Sequence, residues 1–175
     1  KNANSALLVQ AYPEDFGNEH PLAGMYFQRE LEEKSFVAGG EDYTAPVERV
    51  GSFLHTEITE QNEVEGTYRP AVKECRMDDI FPEFMTEALR EALPAMGRKL
   101  KGFDRPDALL TAVESRSSSP IRILRDDTGM SLHYSGVYPA GEGAGYAGGI
   151  VSAAVDGILV AAHELKAPLA LMRQL

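Results

Sequence analysis

The chain has 175 residues, 43% hydrophobic and 25% charged, the length and composition of one globular domain with enough apolar residues to bury a core. Its net charge of −10 and pI near 4.9 exclude the electrostatic attraction that drives binding to nucleic acid or an anionic membrane. Cys75 is the only cysteine, so an internal disulfide is excluded and a reducing, cytoplasmic compartment is expected.

SALLVQAY (5–12) is a short apolar run closed by Pro13 and is expected as a strand. It begins almost at once, with no initiator Met before it, so the chain reads as cut from something longer. The opening run is too short for the apolar region of a signal peptide. Pro21 suits the first turn of a helix carrying Leu22, Met25, Tyr26, Phe27 and Leu31 on one face, and Gly39-Gly40 is its stop. APVERVGSFL (45–54) is expected as a short helix with Val47, Val50 and Leu54 on one side. HTEITEQNEVEGTYRP (55–70) is rich in glutamate and without period, which predicts an exposed loop.

DIFPEFMTEALREALPAMGRKLKGF (79–103) gives the strongest helical signal, with a stripe of Met85, Leu89, Leu93 and Met96 expected to be buried. Pro94 removes a backbone donor and is expected to kink or split this helix near Arg90. ALLTAVESRSS (108–118) and PIRILRD (120–126) are expected as strands, pairing with 5–12. SGVYPAG (135–141) is expected as a last strand, and Ala147–Lys166 as a last long helix. The apolar run from Gly148 to Ala162 contains Asp156 and falls short of the roughly 20 residues that span a bilayer. Strands at both ends with helices between predict an α+β fold: a mixed or antiparallel sheet covered by helices.

GVYPAGEGAGYAGGIVSAAVDGI (136–158) carries the chemistry. Gly143, Gly145 and Gly148 match the G-x-G-x-x-G of dinucleotide binding, but that fingerprint needs a second strand and an acid about 20 residues on, and neither follows. No Lys-Ser/Thr pair follows either, which excludes a P-loop. Glycines at 141, 143, 145, 148 and 149 strip side chains from a turn that leads into a helix, whose free N–H groups and positive dipole end attract negative charge. Glu142 is the acid inside the turn, placed to bond a ligand hydroxyl. The same residues equally describe a turn that lets a helix pack closely, with Glu142 as an exposed cap. His20, His55, His133 and His163 show no metal spacing, and Cys75 has no His partner nearby. Arg116, Ser117, Ser118 and Ser119 form either an anion or substrate-carboxylate site or a simple bend between strands.

The 136–158 segment resembles the C-terminal flavin segment of the uncharacterised FAD-dependent dehydrogenases, flavoproteins with the glutathione-reductase type of FAD fold. NANSALLV, PLAGMYFQRELEEKSFVAGG, YTAPVERVGSFL, TEALREALPAMGRKLKGF and ESRSSSPIRILRD are similar to the same family, in its order, and with 136–158 cover most of the chain. The resemblance implies that Gly141-Glu142 follows the last strand of a split FAD-binding domain, with the acid on the ribityl chain. It further implies that Gly143, Ala144, Gly145, Tyr146, Ala147, Gly148 and Gly149 pass the flavin ring. Relatives of this fold mostly carry Asp where Glu142 stands. Residues 1–133 then form the substrate-side inserted domain, and 134–175 the C-terminal strand, turn and helix of the FAD domain. The N-terminal glycine turn that holds the pyrophosphate in such proteins is absent from this chain. FAD is therefore expected in an intact parent and not on this chain alone, which is expected to be inactive by itself.

The expected partners are the rest of the parent's FAD-binding domain and a small-molecule substrate. The last helix is apolar on nearly all sides and is also expected to drive self-association as a homodimer. The competing class is a non-catalytic α+β interaction domain without bound flavin.

Overall fold

The structure, a computed structural model, describes residues 2–55 and 64–165. The fold is α+β: among the described residues, four helices and one small mixed sheet of three strands. The chain divides into two compact units, one of Lys1–Phe16 and Phe27–Ser115, the other of Gly17–Tyr26 and Arg116–Leu175. The predicted last helix and the glutamate-rich loop lie partly outside the described residues. No described helix is long and apolar enough to cross a membrane.

Helix α1 (Ala23–Gly39) starts two residues after Pro21 and ends where glycine was expected. A side chain at Gly39 would collide with the Thr44 carbonyl oxygen, and Gly40 has φ +112, so both positions require glycine for the tight exit. The Asp42 carboxylate accepts the Thr44 N–H at 3.1 Å and completes the turn. The segment expected as a helix over 45–54 is instead strand β1 (Ala45–Arg49) followed by the single turn α2 (Val50–Phe53). Pro46 biases Ala45 away from the helical region, and Val47 is as suited to a strand as to a helix.

Strand β1 is the centre of the sheet. It pairs in parallel with β2 (Val72–Glu74), Ala45 opposite Val72, and antiparallel with β3 (Leu109–Thr111), Val47 opposite Thr111. Both of its edges are thereby occupied. Residues 5–12 run through the same unit without pairing with any strand among the described residues, which corrects the expected pairing with 108–126. Leu7 from this segment rests against the core instead. Of 108–118 only 109–111 is a strand, and 120–126 contributes one isolated bridge, Arg125 to Ser131.

The core of this unit is Val50, Phe53, Met77, Ile80, Leu93 and Ala112. Helix α3 (Glu83–Lys99) supplies Leu93 and runs through Pro94 without splitting. Met85 is buried and Leu89 packs against the core, but Met96 is 38% exposed, because the core ends before the last turn of the helix. Arg90 on α3 stacks on the Phe53 ring at 4.5 Å. It also donates to the Phe53 carbonyl at 3.0 Å and to both oxygens of Asp78 at 2.7 Å. The buried Glu48 carboxylate accepts from the Ser52 hydroxyl at 2.9 Å and the Met77 N–H at 2.7 Å, which offsets its loss of water.

In the second unit, helix α4 (Ile150–Glu164) is the long element. The stretch expected as a last strand, 135–141, forms no ladder among the described residues. Its backbone groups are taken up locally, as in the Ser131 N–H bond to the Val137 carbonyl at 2.8 Å. The Asp126 carboxylate closes the neighbouring turn by accepting from Thr128 and Met130.

Candidate functional site

The glycine turn leads directly into α4. Its backbone closes on itself: the Gly145 N–H donates to the Glu142 carbonyl at 2.9 Å, and the Tyr146 N–H to the Gly141 carbonyl at 3.0 Å. Gly141 and Gly145 have φ +74 and +81, conformations that side chains disfavour. A Cβ at Gly145 would strike the Ile121 carbonyl oxygen and crowd Arg122, so this glycine exists for chain-against-chain packing. Gly143 and Gly148 differ: a Cβ at either meets nothing within 4 Å among the described residues. They leave the outer side of the turn open. Ala144 is buried, and its carbonyl accepts the Ile123 N–H at 3.1 Å; Ala147 is half-buried.

One ion pair fixes this arrangement. Asp156, from the second turn of α4, accepts from Arg125 Nη1 at 2.9 Å and Nη2 at 2.6 Å, and from the Gly141 N–H at 2.8 Å. Arg125 also donates to the Pro139 carbonyl at 2.8 Å and lies over the Tyr146 ring at 3.6 Å. Both side chains are mostly buried. The Arg125 guanidinium, and then the Gly141 N–H, hold the Asp156 carboxyl below the ordinary carboxylate range. Arg122 stacks on the same Tyr146 ring at 4.5 Å and donates to the Gly145 carbonyl at 3.2 Å.

Of the other candidates, Ser119 reaches the turn. Its hydroxyl lies 2.9 Å from the Ile121 carbonyl and 3.2 Å from that of Gly143. Arg116, Ser117 and Ser118 are exposed. The Glu142 carboxylate is half-exposed and makes no bond among the described residues. Among the described residues, no side chain caps the N-terminus of α4, where Gly149 is extended at φ 178, and the first-turn N–H groups have no side-chain acceptor. Beside these turns an open, mostly apolar hollow of about 760 Å³ runs from Tyr146 along α4 to Leu159. Ile150 and Val151 at its mouth are 90% and 77% exposed.

Cys75 is half-buried, and burial, then the charges of Glu48 and Asp79, push its thiol up, away from a reactive thiolate. His133 and His163 are exposed, and no metal-binding cluster occurs among the described residues. Sequence reasoning missed the Arg125–Asp156 pair. The signal was one acid in an otherwise apolar helix, which asks for a buried partner.

The chain belongs to the family described as FAD-dependent protein, C-terminal domain-like, whose model matches residues 1–117. A relative from Clostridium beijerinckii, an "Uncharacterized protein", is 46% identical over 166 residues. That match covers 94% of this chain and 31% of the relative, so the chain spans less than a third of the length of the protein it matches. The glycine turn lies beyond the residues matched by the family model.

The residues present fit a flavin on the outer side of the turn. Among the described residues, Gly143 and Gly148 leave open space, the α4 N–H groups lack a side-chain acceptor, and the Glu142 carboxylate has no partner.

Proposed function

We propose that this chain is the C-terminal portion of an FAD-dependent oxidoreductase, a dehydrogenase with the glutathione-reductase type of FAD fold. Residues 134–175 are the flavin-side segment and 1–133 the substrate-side domain. The family membership supports a flavoprotein. The observation that carries the site reading is the uncapped start of α4, reached by a turn whose Gly143 and Gly148 face open space. FAD, when bound, supplies the electron-accepting ring. The chain's own part is to hold that ring: Gly143 and Gly148 admit it, the N–H groups of α4 face its electron-rich edge, and Glu142 accepts from a ribityl hydroxyl. Arg116–Ser119 is a candidate contact for a substrate anion, and the parent's remaining FAD-binding domain is the partner of the bare α4 face.

The test is an FAD titration of the full-length protein that carries this chain. Glu142→Ala is expected to weaken binding by the worth of one charged hydrogen bond, about 1.5–3 kcal/mol. Gly148→Val is expected to weaken it by filling the open side of the turn. Wild-type affinity in both variants refutes the site.

A second reading rests on the exposure of Ile150 and Val151: an interaction domain that binds its partner through α4 and carries no flavin. A full-length protein that is colourless after FAD reconstitution, and retains its partner, favours that reading.

A further inference from the structure

We infer that Arg125 and Asp156 are positioning residues for the flavin, setting where the 139–146 backbone stands relative to α4. The inference rests on the reading of 141–149 as flavin-facing and adds to it the device that holds the turn in place.

Three contacts converge on this pair, which is itself joined by two hydrogen bonds. The Asp156 carboxylate binds the first N–H of the turn, at Gly141, at 2.8 Å. The same carboxylate receives both terminal nitrogens of Arg125, at 2.6 and 2.9 Å. Arg125 Nη1 also reaches the Pro139 carbonyl just before the turn, at 2.8 Å. The face of Arg125 covers Tyr146 just after it, at 3.6 Å. The residues before, at and after the turn are thus referred to one point on the second turn of the helix whose N-terminus faces the ligand. A carboxylate is needed because three N–H donors converge on two oxygens. A guanidinium is needed because its planar fork serves the carboxylate and the Pro139 carbonyl while its face lies on the Tyr146 ring.

A pair that only tied the helix down would matter to stability alone. A pair that sets the turn also matters to the bound flavin. Helix N–H groups shifted by a fraction of an ångström meet the ring's edge at a different distance, which changes its spectrum as well as its affinity.

The experiment uses the full-length protein, with Asp156→Asn, Arg125→Lys and Gly148→Val. Folding is followed by circular dichroism, FAD affinity by titration, and the visible absorption bands are recorded at saturating FAD well below the melting transition. Asp156→Asn is expected to weaken FAD binding about tenfold or more and to shift the bands of the bound flavin. Arg125→Lys keeps a positive charge opposite Asp156 but loses the fork. It is expected to shift the bands in the same direction, and it keeps the test open should Asp156→Asn not fold. Lower melting temperatures with unchanged bands and affinity in the folded variants overturn the inference and leave a structural ion pair. Gly148→Val separates the two claims. If it and Glu142→Ala both leave FAD binding unchanged, the flavin-facing reading fails and the inference with it. If either impairs binding while the folded Arg125 and Asp156 variants do not, only the inference fails.

Discussion

Gly145 and Gly143 stand two positions apart in one turn and are glycine for different reasons. Gly145 has φ +81 and its missing Cβ points at the Ile121 carbonyl, whereas Gly143 faces open space. Gly145→Ala is therefore expected to cost about 1–2 kcal/mol for the backbone conformation alone, plus the clash. Gly143→Ala should stay within about 0.5 kcal/mol of wild type. Thermal unfolding of the two variants checks this, and equal losses would contradict the division. Asp156 gives a pH dependence. Its folded pKa is depressed, chiefly by Arg125, so its contribution to stability is complete above the ordinary carboxylate value of about 3.9. That contribution is lost as the pH falls below this value and through the depressed one. Stability curves of wild type and Asp156→Asn should lie furthest apart near neutral pH and converge in acid. The glycines were legible in the sequence as a cluster, but not which of them faces outward. That depends on residues 119–125 folding back onto the turn, a contact that spacing along the chain does not encode.

At the scale of elements, the long helices were legible and most of the strands were not. Helices α1, α3 and α4 are each 15 residues or longer, and over that length apolar spacing and terminal glycine or proline add up to a clear signal. Strand β2 has three residues, too few for an alternating pattern to register, and β3, equally short, was legible only as part of the longer apolar run 108–118. In β1, Val47 continues into Val50 and Leu54 at spacings that a helix also shows, and only the pairing with Val72 and Thr111 decides the matter. Burial along α3 is graded. Leu93 is 1% exposed at the centre of the core, while Met96 lies one turn further on at its margin. Leu93→Ala is expected to cost about 2–5 kcal/mol, and Met96→Ala less than about 1 kcal/mol. Denaturant unfolding of the pair measures the difference, and similar costs would show that the core extends to the helix end.

For the molecule as a whole, membership of an FAD-dependent protein family and the α+β class agree with what the sequence implied, and the chain spans less than a third of the length of the relative it matches. The sheet is where order along the chain and order in space diverge most. Ala45 pairs with Val72, and Val47 with Thr111, so the central strand is completed only by segments far downstream, the second of them beyond the whole of α3. Bringing such distant segments together costs chain entropy before any ladder bond is gained, whereas α3 closes its bonds four residues at a time. Time is the consequence: α3 forms early, and β1 waits for the chain to be made and gathered through Thr111. Pulse-labelled hydrogen exchange during refolding should therefore protect the amides of Leu89 and Leu93 before that of Val47. During synthesis, a nascent chain that has emerged only as far as Gly102 should hold the helix and leave Phe53, Met77 and Ile80 without their full cover, the interval in which this protein is most exposed to aggregation.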